Sequence, residues 1–154
     1  VLISVFIYTR KKRIKFFSLT DFIAPLIPIG LGLGRAGNFI NGELWGRPTN
    51  EDWGMIFYHV DSLPRHPSQL YQVFLEGVLM FFLIWFLSNR VKNRGMLSGI
   101  FLLTYGTFRY FVEFFREPDA HLGLLFSQTY GQVLSIPMII FGMLIMYFAK
   151  RHYL

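Results

Sequence analysis

The 154-residue chain contains no cysteine. It therefore has no disulfide, no thiolate nucleophile and no cysteine-ligated metal of its own. Charge is also scarce. Asp, Glu, Lys and Arg make up 16% of the residues, where a soluble domain carries about 25%. Acid is the scarcer sign, with nine Asp and Glu against 15 Lys and Arg, for a net charge of +6. That excess would suit nucleic acid if it were spread over one face. Instead it falls in clusters: Arg10, Lys11, Lys12, Arg13 and Lys15; then Arg90, Lys92 and Arg94; then Lys150 and Arg151. Each cluster abuts an apolar segment, as cytoplasmic loops do beside membrane spans. Nucleic acid is not an expected partner. No internal repeat or low-complexity tract is present.

What is abundant is apolar. The chain is 53% hydrophobic and 19% aromatic, with mean hydropathy +0.42. Apolar runs of about twenty residues are long enough to cross hydrocarbon as helices. The fold class is all-α: a polytopic integral membrane helical bundle with kinked spans and a polar loop region at the outer face. The whole chain, 1–154, reads as a single membrane domain. Its spans are expected at about 1–8 (the tail of a helix), 21–44, 69–88, 96–115 and 128–149. Ser18 and Asp21 fit a capping box ahead of the second of these. Pro25 and Pro28 should bend it, and Gly30 and Gly34 would allow close helix approach. Pro137 should interrupt the last span. Trp45 to Pro67 is the longest polar stretch, with Met55 to Val60 either a short strand or an interfacial segment. Trp45, Trp53 and Tyr58 suit the headgroup level, and His59 reads as a plain surface residue.

Ten of the fifteen Lys and Arg fall in the three clusters, while Arg47, Arg65 and Arg116 lie in the other loops. The asymmetry orients the chain with loops 45–67 and 116–127 outside and the carboxy terminus cytoplasmic.

Gly34 to Arg47 holds two arginines, two asparagines, a glutamate and four glycines just after an apolar run. Irregular backbone and charge persist at membrane depth only when buried in protein or lining a wet cavity. Gly32, Gly34 and Gly37 also spell G-x-G-x-x-G, but the βαβ setting of a dinucleotide site is missing. A second polar set lies inside the span 96–115 and just beyond it. At about 100° per residue, Tyr105, Arg109, Glu113 and Arg116 fall within roughly 80° of one another. Arg109 and Glu113 are spaced to pair. Such a face either ties helices together or forms a site, and intramembrane charge favours the site. Glu76, the one acid of the span 69–88, reads as a protonated or partnered carboxylate at a helix interface.

Arg35, Arg109 and Arg116 together would make an electropositive pocket whose guanidinium forks match phosphate. Glu43 and Glu113 would orient them. Asn38 and Asn41 would supply neutral donors, and Gly37 and Gly42 would admit a ligand close to backbone. The chemistry is that of a phospholipid headgroup site. No metal or organic cofactor is called for.

Three stretches in order carry a resemblance: Arg35-Ala-Gly-Asn-Phe-Ile-Asn-Gly-Glu-Leu-Trp-Gly-Arg47, His66-Pro-Ser-Gln-Leu-Tyr71, and Tyr105 to Asp119 with Arg109, Glu113 and Arg116 inside it. They resemble the bacterial prolipoprotein diacylglyceryl transferases over nearly the whole chain. The resemblance implies transfer of the diacylglyceryl group of phosphatidylglycerol to the lipobox cysteine of a prolipoprotein signal peptide. A thioether forms and glycerol phosphate leaves. It implies residence in the bacterial cytoplasmic (inner) membrane, in contact with membrane lipid. It implies catalytic roles for Arg109, Glu113, Arg35, Tyr105 and His66, and substrate binding by Arg35, Asn38, Asn41, Glu43, Gly46 and Arg116. His66 is read as a positioning residue, because the family has another His-containing motif in amino-terminal spans that this sequence does not include. The chain is accordingly expected to be the carboxy-terminal part of a larger protein. The alternatives are a phospholipid-binding or transport module without chemistry, and a structural subunit whose polar face pairs with a partner.

Overall fold

The computed structural model describes residues 1–118 and 128–151. From residue 119 the expected loop 116–127, and with it Asp119, lies outside the described residues. Seven α-helices and one two-stranded ribbon are described: α1 (Leu2–Lys12), α2 (Phe16–Ile23), α3 (Ile27–Ile40), β1 (Met55–Ile56), β2 (Pro64–Arg65), α4 (Ser68–Gln72), α5 (Met80–Ser88), α6 (Met96–Val112) and α7 (Tyr130–Lys150). A π-helical segment, Val73–Leu79, joins α4 to α5. The three make one rod, Ser68–Ser88.

The rod and α7 are each long and apolar enough to cross a membrane, and α2 with α3 forms a third candidate span bent by 50°. Much of their apolar surface faces outward: Phe74, Phe82, Trp85, Leu134 and Phe141 are all more than half exposed. In water that would be costly; against lipid it is the expected outer face. The protein is a polytopic helical membrane protein.

The bend between α2 and α3 falls at Ala24 to Leu26, where Pro25 cannot donate to the ladder. The Ser18–Asp21 capping box does not form. α2 begins at Phe16 with no side-chain cap. Asp21 instead caps a different helix: its carboxylate accepts from Gly95 N at 2.6 Å, Ser98 N at 2.8 Å and Ser98 Oγ at 2.6 Å. The orphan donors at the start of α6 are thereby met from α2, because Asp21 is already inside its own helix.

Close helix approach does occur at α3, but not at Gly30 or Gly34, where added Cβ atoms would meet open space. It is Gly32 that packs on Gly77 of the rod, with a Cβ on Gly77 only 2.8 Å from the Gly32 Cα. α6 and α7 pack antiparallel through Gly99, Gly106 and Gly142, each in contact with backbone of the other helix. α7 carries through Pro137 without a break. A small core of Ala24, Met80, Ile84 and Leu97 joins α2, the rod and α6.

The two ends of the bundle differ. α3 and α6 finish, and the rod and α7 begin, at one end. At the other end Arg94 shares a cavity with Arg10, Arg13 and Lys15, and Asn93 Nδ2 donates to Ala149 O beside Lys150. The three basic clusters are thus gathered together, and the three polar stretches lie at the opposite end.

Candidate functional site

The polar stretch from Gly34 is half helix. α3 continues through Arg35 and Asn38 to Ile40, so the irregular backbone begins only at Asn41. The chain then reverses at Gly42 (φ 68°) and Leu44 (φ 56°), both in the left-handed region. Glycine adopts the first without strain, and the His59 ring lies where a Gly42 Cβ would be. His59 is exposed, as expected of a surface residue, but its ring is held: its Nε2 is 2.7 Å from Gly42 O, and the ring meets Trp45 edge-on. The start of the rod is tied to the same turn, since Gln69 Nε2 donates to Glu43 O at 2.6 Å and Ser68 Oγ to Leu44 O at 2.9 Å.

Residues 45–49 then run between two neighbours. Gly46 N donates to His66 O (2.9 Å), His66 N to Arg47 O (3.0 Å) and Thr49 N to Pro64 O (2.9 Å). On the other side Arg47 N donates to Phe115 O (2.9 Å) and Glu117 N to Trp45 O (3.2 Å). All three recognisable stretches are therefore joined by backbone hydrogen bonds, with Gly46 in the middle. Any side chain there would collide with His66 O on one side and lie 2.6 Å from Phe115 O on the other. Arg65 reinforces the junction from below. It is 8% exposed and reaches Asp61, Gly46 O at 3.1 Å and Glu117 Oε2 at 3.2 Å. The Arg65 hydrogen bonds hold the Asp61 carboxyl below its ordinary value.

Below this junction lie two arginine–carboxylate groups. Arg35 Nε is 3.3 Å from Glu76 Oε2, and Glu76 is fully buried. Gln72 Nε2 holds the other carboxylate oxygen at 3.3 Å. On α6, Arg109 Nη2 is 3.3 Å from Glu113 Oε2, and Arg116 Nη1 is 3.9 Å from the same oxygen. The Glu113 carboxylate lies against the first turn of α7: a Cβ on Gly131 would be 2.5 Å from it. Helix amino termini favour a carboxylate, and Thr129 and Gln132 complete a capping box there. Among the described residues, buried Arg109 Nη1 has no hydrogen-bond acceptor. Buried donors are almost always satisfied, which makes this Nη1 a candidate contact for a ligand anion.

The other residues named from the sequence are placed less centrally. Tyr105 stacks on Phe101 at 6.1 Å and packs against the Met80–Ile84 core, and no hydrogen bond joins it to Arg109 or Glu113. Glu43 and Asn41 are exposed, and Glu43 makes no ion pair with the arginines. It contributes its backbone to the turn instead. Asn38 is half-buried one turn after Arg35. His66 Nδ1 is 3.1 Å from Tyr71 Oη, which also accepts from Trp53 Nε1 at 2.9 Å. This trio borders an apolar cavity of about 460 Å³ walled by Phe74, Phe111 and Phe115. Glu76 and the Arg65–Asp61–Glu117 cluster are the groups that sequence reasoning undervalued. The face test applied to Tyr105 through Arg116 would have found Glu76, because Gln69, Gln72 and Glu76 recur at helical spacing within an apolar span.

A profile of the prolipoprotein diacylglyceryl transferase family matches residues 1–148. Three curated relatives carry the name phosphatidylglycerol–prolipoprotein diacylglyceryl transferase. That of Pseudoalteromonas atlantica is 54% identical over 156 aligned positions, covering 98% of this chain and 56% of the relative. That of Nitrosomonas europaea is 53% identical over 154, covering 99% and 55%. That of Methylobacillus flagellatus is 50% identical over 152, covering 98% and 58%. The chain thus spans somewhat more than half the length of these relatives.

Proposed function

Because the chain belongs to the prolipoprotein diacylglyceryl transferase family, we propose that it carries the phosphate-handling part of an enzyme that moves diacylglyceryl from phosphatidylglycerol to a lipobox cysteine. The sulfur of the substrate thiol attacks the glyceryl carbon that bears the phosphate ester, and the thiol proton passes to the departing phosphate or to water. The carbon–sulfur bond forms as the carbon–oxygen bond breaks, and glycerol phosphate leaves with the electron pair. No cysteine is needed in the enzyme, since the substrate supplies it.

The observation that carries this reading is the arginine pair. Arg35 and Arg109 come from different helices, both are largely buried, and each is oriented by a carboxylate. Fixed guanidinium groups stabilise charge developing on a leaving phosphate without a proton transfer. Arg116 adds a third cation to the α6 group, and Asn38 a neutral donor at the same level. His66 acts as a positioning residue through Tyr71. The protein would lie in the bacterial inner membrane with the site toward the outer leaflet and the carboxy terminus cytoplasmic, a reading that the gathered basic clusters support.

Two experiments test the reading. The full-length protein is incubated with phosphatidylglycerol and a lipobox peptide, and the peptide mass is measured. A gain of one diacylglyceryl group is expected. Binding of phosphatidylglycerol with no mass gain would replace the enzyme with the phospholipid-binding or transport reading. For orientation, cysteines are placed at Asn50 and Val91. An impermeant external reagent should label position 50 alone, and labelling of position 91 alone would invert the topology.

A further inference from the structure

The rod Ser68–Ser88 carries a feature that the phosphate chemistry above does not use. Its central residues, Val73–Leu79, are π-helical. π turns are rare, are mostly found within α-helices, and are frequent at functional sites. Glu76 stands in the middle of this one. Gln72, Glu76, Met80 and Ile84 are all fully buried at strict four-residue spacing. On a regular α-helix, four-residue steps drift by about 40° each. The wider π turn takes up that drift and keeps the carboxylate on the inner face, while the next residue, Gly77, packs against Gly32 of α3.

The carboxylate so placed is fully buried, accepts from Arg35 on α3 at 3.3 Å and is held by Gln72 at 3.3 Å. A lone buried carboxylate inside a membrane span is expensive, and replacing it with an apolar residue would leave Arg35 without its ion-pair partner. We propose that Glu76 is a positioning residue: its carboxylate, steadied by Gln72 on the rod, fixes the orientation of the Arg35 guanidinium on α3. It sets how tightly a phosphate monoester or diester is gripped, and so how readily the leaving group is released. The proposal rests on the phosphate-site reading above.

The consequence differs from that of a residue that only packs. Removing the charge leaves Arg35 without its counter-charge, so it attracts an anion more strongly but is less well oriented. In the full-length protein, Glu76→Gln should therefore bind vesicles of phosphatidylglycerol more tightly, by roughly fivefold. The binding is measured relative to phosphatidylcholine vesicles. Its kcat for transfer should fall by about 10²-fold, the loss expected for a misplacement near 1 Å, with KM unchanged or lowered. Glu76→Asp keeps the charge but draws it back by one methylene. It should restore wild-type vesicle affinity and recover part of kcat. Wild-type kcat and affinity in Glu76→Gln would overturn the proposal. So would losses in kcat that match the fraction of folded protein. If Glu76→Gln does not fold, Glu76→Asp decides. Lowered kcat per folded molecule at unchanged affinity supports the positioning role, and wild-type kcat per folded molecule overturns it. Should the wild-type protein show no transfer at all, the enzymatic reading has failed. The vesicle comparison then still judges Glu76.

Discussion

The two ends of this bundle both hold arginines and use them differently. At the junction end, Arg35, Arg65, Arg109 and Arg116 are buried or half-buried, and each is paired with at least one carboxylate. At the basic end, Arg10, Lys11, Lys12, Arg13, Lys15, Arg90, Lys92, Lys150 and Arg151 are exposed, and none forms a salt bridge among the described residues. Arg10, Arg90 and Arg151 lay their guanidinium groups over Phe6, Phe86 and Tyr147 at 5.1, 4.0 and 4.6 Å. That is how long cationic side chains cover apolar surface while the charge stays wet. Residue type alone does not separate these two groups of cations. Burial and a held carboxylate do.

The contrast can be broken most sharply at Glu113. Its carboxylate serves Arg109, Arg116 and the first turn of α7, so Glu113→Gln leaves buried cations without a counter-charge. Loss of one partner of a buried pair costs about 3–5 kcal/mol. A large fall in the thermal midpoint in detergent is expected, and an unchanged midpoint would show that the pair is solvated. Arg109→Lys comes next. Lysine keeps charge but loses the fork, and with it the Nη1 donor that finds no acceptor among the described residues. Transfer to a lipobox peptide by the full-length protein should drop by about 10²–10³, with expression and folding retained. Near-normal transfer would make Arg109 a structural cation like those at the other end.

Smaller effects sharpen the comparison. The Arg65 hydrogen bonds hold the Asp61 carboxyl below its ordinary value of 3.8. The stabilisation this gives is fully present above 3.8 and is lost as pH falls through the lowered value. Wild type should therefore lose stability below that pH, and Asp61→Asn should flatten this part of the profile. Identical acid profiles would detach Asp61 from the junction. Smallest of all, Lys12→Gln at the basic end should shift stability by no more than about 0.5 kcal/mol. A shift of several kcal/mol would mean that the exposed cluster is a built site after all.

Much of the candidate site was legible because its signal is chemical contrast: charge within apolar sequence. Arg109, Glu113 and Arg116 could be grouped from helical spacing, and the ion pairs join these three. Tyr105 fell on the same face by angle yet packs into the core, since a tyrosine ring satisfies an apolar neighbour as readily as a polar one. Glu43 was grouped with the arginines by charge, but the reversal at Gly42 and Leu44 leaves its carboxylate exposed and recruits only its backbone.

The sequence by itself determined the membrane class, the segregation of basic clusters and a set of candidate polar groups within apolar sequence. Each of these depends on composition and on short-range periodicity, which survive without knowledge of neighbours. Only the tertiary structure decided that Asp21 caps α6, that Gly32 meets Gly77 and that Glu76 pairs with Arg35 across forty-one positions. It also decided that residues 45–49 lie between 64–66 and 115–117. These are long-range pairings whose energy comes from burial and from satisfying backbone groups. No local pattern in the chain specifies which distant partner will supply it.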